Sequence, residues 1–251
     1  RKSPWADFAM YQSWDEHGGY QYMLKNRRDQ ATAGRPMPQV NEEYGYEDHY
    51  PFPWGEKRLW PARIGDNRRR LAWEMCMAGC YQTTGERAND GTGAGPDTGG
   101  GWVNGRGNEH MTMLAGYRHM RDFFRSMPWW TLEPRDDLAE AGTLVLAEVG
   151  RRYAAYMPTG GVAGLTIAPG VYQAKWFNPR TGQWTALPEV KLSAETKWKS
   201  PPAPDAGDWA LLLEARQHEQ AGRVREAMDC CMAAVAEAAW CGATAAQAVG
   251  L

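Results

Sequence analysis

The secondary-structure signal changes character once, near residue 136, and this change constrains the fold more than any other feature. Before it, apolar stretches alternate with stretches of helical period. Residues 8–14 predict a strand, 20–33 a helix, 37–40 a strand and 67–78 a helix with Leu71, Met75 and Ala78 on one face. Residues 81–86 predict a short strand and its exit, and 111–127 an amphipathic helix. That order is the βα pattern of a parallel sheet or barrel. After it come short strand candidates at 143–149, 152–157, 164–167, 171–177, 184–187, 195–198 and 209–213. Pro158-Thr159-Gly160-Gly161, Pro169-Gly170 and Asn178-Pro179-Arg180-Thr181-Gly182 supply the turns between them. Short strands at this spacing predict an antiparallel β-sandwich. The expected fold class is therefore α/β plus all-β. Residues 1–135 form the βα region, 136–213 the sandwich, and 214–251 an Ala-rich helical tail.

Composition excludes several classes. Of 251 residues, 43% are hydrophobic and 23% charged, which leaves enough apolar material for a core and rules out wholesale disorder. A net charge of -2 argues against a nucleic-acid partner. No apolar run approaches the roughly 20 residues of a membrane helix. The five cysteines (Cys76, Cys80, Cys230, Cys231 and Cys241) are odd in number and lack zinc-ligand spacing, so free thiols are expected. Residues 90–107 are glycine-rich, but no Lys-Ser/Thr follows, so this is not a phosphate-binding loop. No cofactor and no metal is expected. The 13 Trp and 11 Tyr suit a protein that grips sugars, and equally an aromatic core.

The sharpest chemical feature is Asn41-Glu42-Glu43, at the C-terminal end of a predicted parallel strand. In a βα barrel, active-site residues sit at that end. A carboxylate there suits glycoside hydrolysis, which needs a pair of carboxyl groups. Asn41 would hydrogen-bond a sugar hydroxyl. A solvated acidic loop cap has the same pattern. Asp15 and His17 follow the preceding strand and would line the same mouth, although a lone His is more often structural. Tyr81 and Gln82, on the next strand, would supply a wall and a hydrogen bond. Trp54, Trp60 and Trp102 read as sugar-stacking platforms or as loop anchors.

The run Pro38-Gln39-Val40-Asn41-Glu42-Glu43-Tyr44-Gly45-Tyr46-Glu47 resembles a P-V-x-N-x-E-x-x-Y-E signature of the apiosidase-like glycoside hydrolases, a TIM-barrel group. Arg70-Leu71-Ala72-Trp73 and Ala78-Gly79-Cys80-Tyr81-Gln82-Thr83-Thr84-Gly85 resemble the helix and strand that follow in that family, with Gln82 in place of the His of many members. Trp176-Phe177-Asn178-Pro179-Arg180-Thr181-Gly182 and Asp208-Trp209-Ala210-Leu211-Leu212-Leu213 resemble the β-sandwich after the barrel, a domain named for collagen binding. The resemblance covers roughly residues 5–213. It implies Glu43 as the catalytic carboxylate of barrel strand seven and its nucleophile, with Tyr46 and Glu47 in support and Asn41 beside it. It implies a polysaccharide or oligosaccharide as substrate and an exported protein.

A full (β/α)8 barrel takes about 250 residues, so residues 1–135 are expected to hold only its last three strands. The chain then reads as the C-terminal portion of a (β/α)8 TIM barrel followed by the sandwich. The family's other catalytic carboxyl group falls on an earlier strand, so this chain alone is expected to be inactive. The sequence leaves open a non-catalytic carbohydrate-binding module, in which Glu43 is vestigial. A collagen-binding reading rests on the domain name alone. Residues 214–251 read as a short partner helix or, as the favoured reading, as a reading-frame artefact or incidental appendage.

Overall fold

The computed structural model describes residues 5–12, 19–42, 65–83 and 112–216. The predicted βα order is present in the described segments. Strand β1 (Ala9–Tyr11), helix α1 (Gly19–Thr32), β2 (Gln39–Asn41), α2 (Gly65–Met77), β3 (Tyr81–Gln82) and α3 (Met113–Arg125) follow one another. The strands form a three-stranded sheet in the order β1-β2-β3, parallel throughout, with Tyr11 opposite Asn41 and Asn41 opposite Gln82. Gly34, with φ +69°, turns the chain out of α1, and Pro36 and Pro38 then prevent helix from resuming.

The strands after residue 132 are β4 (Glu133–Pro134), β5 (Leu144–Glu148), β6 (Arg152–Met157), β7 (Gly164–Ile167), β8 (Gly170–Phe177), β9 (Trp184–Ala186), β10 (Val190–Leu192), β11 (Thr196–Lys199) and β12 (Trp209–Ala215). Seven of them make one sheet, in the order β10-β8-β12-β6-β5-β4, with β9 added to β8. β7 and β11 pair separately as an antiparallel ribbon. The two strands that the sequence reading missed, β4 and β10, are the two ends of the large sheet's order. Pro134 is tolerated in β4 because an edge strand has no partner waiting for its missing N–H. The central strands β6 and β12 are buried along most of their length. In β8, Tyr172, Ala174 and Trp176 point inward while Val171 and Gln173 point out.

The helical layer and the seven-stranded sheet share one core, and contacts gather the chain through Glu214 into one unit. Trp73 of α2 is its hub and has no solvent exposure. Its ring stacks on Tyr156 of β6, with centroids 5.1 Å apart and planes 12° apart. It also meets Phe123 of α3 edge-on at 5.0 Å, and Phe177 of β8 at 6.0 Å. Four residues earlier, Arg69 forks onto Asp208, just before β12. Its Nε donates to Oδ2 at 3.1 Å and its Nη2 to Oδ1 at 2.7 Å. The Tyr156 hydroxyl donates to the same Oδ2 at 3.1 Å. Asp208 is fully buried. Burial works against the Arg69 charge, but the hydrogen bonds and charge of Asp208, then of Asp66, outweigh it and hold the Arg69 pKa above its ordinary value.

The Asn178-Pro179-Arg180-Thr181-Gly182 turn is a second fastening. The Asn178 Oδ1 accepts hydrogen bonds from the Arg180 backbone N–H at 2.9 Å and from its Nε at 3.1 Å. Gly182 has φ +74°, and a Cβ there would lie 2.8 Å from the His119 ring of α3. The Arg180 Nη2 donates to Asp205 at 2.8 Å, and its guanidinium lies 5.3 Å from the centre of the Trp209 ring. The bond from Arg180, then those from the Trp209 indole and the Gly207 N–H, hold the Asp205 carboxyl down to about 2. This run therefore links α3 to the start of β12.

Two predictions follow from this packing. Trp73→Ala should destabilise the protein by about 3–5 kcal/mol in urea unfolding, the range for deleting a buried aromatic side chain, whereas a loss under 1 kcal/mol would remove Trp73 as the hub. Glu74 gives a pH dependence. Burial pushes its carboxyl up to about 7, and the charge of Arg70 offsets only part of the shift. The unfolded value is near 4.3, so the folded state binds this proton more tightly. The group's contribution to stability is present in full below the unfolded value and is lost as pH rises towards 7. Glu74→Gln should therefore raise Tm over wild type at about pH 8 and leave it unchanged at about pH 4; an equal effect at both would contradict the assignment.

Candidate functional site

Side chains alternate across a strand, so the helical layer on one face of the parallel sheet decides which residues face away from it. Gln39 and Asn41 of β2 turn towards the helices. The Gln39 Nε2 donates to the Met23 carbonyl of α1 at 2.9 Å, and the Asn41 Nδ2 lies 3.7 Å from the Met75 Sδ of α2. Gln82 of β3 does the same. Its Nε2 donates to the Ala72 carbonyl at 2.6 Å and lies 3.2 Å from the Cys76 Sγ, while its Oε1 is buried without a partner. Tyr81 faces the opposite way, half exposed, with its ring edge-on to Trp129 at 5.9 Å.

The exit ends of the three strands are laced together. The Glu42 N–H donates to the Tyr11 carbonyl at 2.9 Å and the Thr83 N–H to the Asn41 carbonyl at 3.1 Å. The Thr83 hydroxyl donates to the Glu42 carbonyl. The chain therefore enters Glu43 from a fixed backbone. Glu43 itself, with Tyr46, Glu47, Asp15, His17 and Trp102, lies outside the described residues. Of the expected site residues the structure thus describes Asn41, Tyr81 and Gln82. It brings Asn41 and Gln82 together as cross-strand partners, both turned towards α2, and sends Tyr81 to the other face.

A cleft of about 1180 Å³ lies beside β3 and α3, lined by Tyr81 and also by Gln82, Cys76 and Met120. Tyr81, Trp129 and Trp130 give it aromatic walls, and Leu114, Tyr117, Arg118, Arg121, Phe124 and Arg125 form one stripe of α3 along it. Pro36, Met37, Pro38, Gly79 and Cys80 also line it, so it reaches from the entry ends of β2 and β3 along β3 to Gln82. The sequence reading did not place Trp129, Trp130 and these arginines at a common cleft. The available signal was a Trp-Trp pair directly after a helix carrying Arg at 118, 121 and 125.

Cys76 and Cys80 are free thiols. Burial pushes them up to about 11 and about 12, so both are neutral near pH 7. Among the described residues no group of His, Cys, Asp or Glu is placed to hold a metal ion, and no helix is long and apolar enough to cross a membrane.

Residues 136–214 match the family model described as "Putative collagen-binding domain of a collagenase". No curated protein matches the chain. Solved structures do. One named glycoside hydrolase aligns with TM-score 0.63 at 14% identity, covering 85% of this chain and 53% of its own. A glycoside hydrolase family 5 protein from Bacteroides vulgatus aligns with TM-score 0.62 at 16% identity, covering 84% and 52%. The chain thus spans about half the length of the structures it matches, and at these identities the likeness is one of fold. The sheet-rich architecture with few helices is shared with these structures named as glycoside hydrolases, and residues 136–214 are similar to the collagen-binding-like domain model.

The contacts of Gln82 set an expectation. Gln82→Ala should lower stability by about 1–3 kcal/mol in chemical denaturation, through loss of its bond to the Ala72 carbonyl. Unchanged stability would mean that the bond to α2 is dispensable.

Proposed function

We propose that this chain is the C-terminal portion of a glycoside hydrolase of the apiosidase-like kind, acting on glycosidic bonds of a complex polysaccharide. In this reading residues 1–135 are the last βα units of a TIM barrel and 136–213 a β-sandwich. The observation that supports it is the parallel β1-β2-β3 sheet with its strand exits laced immediately before Glu43, in a fold aligned with glycoside hydrolases. Glu43 would be the nucleophilic carboxylate at the exit end of β2. A second carboxyl group, needed to protonate the leaving oxygen, would come from a strand outside this chain. Asn41 and Gln82 would act behind the site by bracing β2 and β3 against α2. The sugar would sit on the side that these two residues face away from.

The test is the release of reducing ends from pectic and hemicellulosic polysaccharides. The 251-residue chain should show none. A polypeptide extended upstream to complete the barrel should show turnover, and Glu43→Gln in it should cut kcat by on the order of 10³-fold without loss of fold. Full activity in that variant would overturn the role of Glu43. A second reading, a non-catalytic carbohydrate-binding module, is favoured by the exposed rings of Tyr81 and Trp130 in the cleft. It predicts sugar binding by the chain with no turnover in any extended form.

A further inference from the structure

The buried pair that docks α2 on the seven-stranded sheet lies at one particular height in the fold. A helix joining two parallel strands runs back from the exit end of one to the entry end of the next. The first turns of α2 and α3 therefore lie at the exit ends of β2 and β3. Arg69 stands one turn into α2, and its Nη1 donates to Asp66 of the first turn at 2.6 Å. Its stem packs on the first turn of α3, where a Cβ on Gly116 would lie 3.3 Å from the Arg69 Cγ. The Gly116 N–H closes that turn on the Thr112 carbonyl at 3.1 Å. Arg69 thus touches both points at which the chain returns from the strand exits, and its fork lands on Asp208 of the sandwich. Residues 43–64 join Glu42 to the start of α2, and Glu43, Tyr46 and Glu47 fall among them. At their near end is the laced exit of β2. At their far end is the turn that Arg69 holds.

Docking alone does not account for a charge at this contact, because apolar residues of similar volume often replace a buried ion pair with no loss of stability. A two-pronged guanidinium fork differs from apolar packing in fixing direction as well as distance. Both oxygens of Asp208 are engaged by Arg69, Oδ2 also accepts from the Tyr156 hydroxyl, and the Arg180 Nε lies 4.0 Å from Oδ1. The carboxylate is thus held from the sandwich side while it holds Arg69. We propose that Asp208 and Arg69 are positioning residues for hydrolysis. Asp208, carried by the sandwich, acts through Arg69 on the first turns of α2 and α3, and so fixes where the chain that follows Glu43 returns to the scaffold. The sandwich is then a working part of the hydrolase and not an appended binding module. The inference rests on the hydrolase reading given above, with Glu43 as nucleophile, and adds the residues that hold its geometry from another domain.

Asp208→Asn would strand the buried Arg69 charge and mix stability with positioning. The decisive variant replaces the whole network by apolar groups: Arg69→Met, Tyr156→Phe and Asp208→Leu together, which keeps the ring stacked on Trp73. In the polypeptide extended upstream, this variant should keep its Tm and its KM within about threefold, while kcat on the polysaccharide falls on the order of 10²-fold, the loss expected from a small misplacement of a reacting group. In the 251-residue chain, it should speed hydrogen exchange of amides 70–72 and 116–118 at least about tenfold and leave β6 and β12 unchanged. Wild-type kcat in the variant, or unchanged exchange at those amides, would overturn the positioning role and leave the hydrolase reading standing. A variant that fails to fold would overturn it too, because the pair would then hold the fold and not the site. No turnover by the wild-type extended polypeptide would overturn the hydrolase reading itself, and this proposal with it.

Discussion

The seam between α2 and the seven-stranded sheet carries the rest of this structure. Trp73 lies flat on Tyr156, and Arg69 forks onto the buried Asp208, to which Tyr156 also donates. The two contacts share Tyr156, so the aromatic stack and the ion pair fix the same residue from two sides. Desolvating an ion pair costs as much as its attraction returns unless the geometry is good and the remaining donors are satisfied. Here the carboxylate receives donors on both oxygens. Such a pair specifies one arrangement of helix on sheet more than it adds net stability. Apolar burial around Trp73 supplies the driving force, and Arg69–Asp208 sets the register in which it is used.

The parallel strands depend on that seam. Asn41 and Gln82 reach into the helical layer and tie β2 and β3 to α2, which is itself docked on the sheet through Trp73. Helix α3 is held by Phe123 against Trp73 and by His119 against the Gly182 turn. Its stripe of arginines is thereby fixed beside Tyr81. The strand exits that lead to Glu43 and the cleft along β3 are thus parts of one rigid arrangement. Asn41 and Gln82, expected from their position to meet a sugar, make contacts to the helical layer that brace β2 and β3.

Much of the fold was legible in the sequence because its elements carry local signals. The spaced apolar residues of α1 and α2 place those helices to within a residue or two, since Gly34 and Gly79 stop them. The strands β5 to β9, β11 and β12 are marked by the turns between them. Strands β4 and β10 were not, because two or three residues at a sheet edge carry no periodicity to read. Facing was less legible. Alternation says that Asn41 and Val40 point opposite ways, but only the position of the helical layer says which points where. The Arg69–Asp208 pair spans 139 residues and leaves no local trace. The Trp-Phe-Asn-Pro-Arg-Thr-Gly run, distinctive as sequence, proves to be a structural fastening whose Arg180 reaches Asp205 and Trp209. The cleft needed α3, β3 and the 129–133 segment together before its charge pattern could be seen.

Native-state hydrogen exchange tests the dependence of the whole on the α2 seam most directly. If α2 and the sheet are one cooperative unit, the slowest amides of α2 and those of β6 and β12 will open with the same free energy and the same denaturant slope, equal to those of global unfolding. If α2 amides exchange through an opening of much lower free energy while β6 and β12 remain protected, the helical layer is an independent, loosely docked element. The strand exits and the cleft would then not be held by the sheet, and the account would fail.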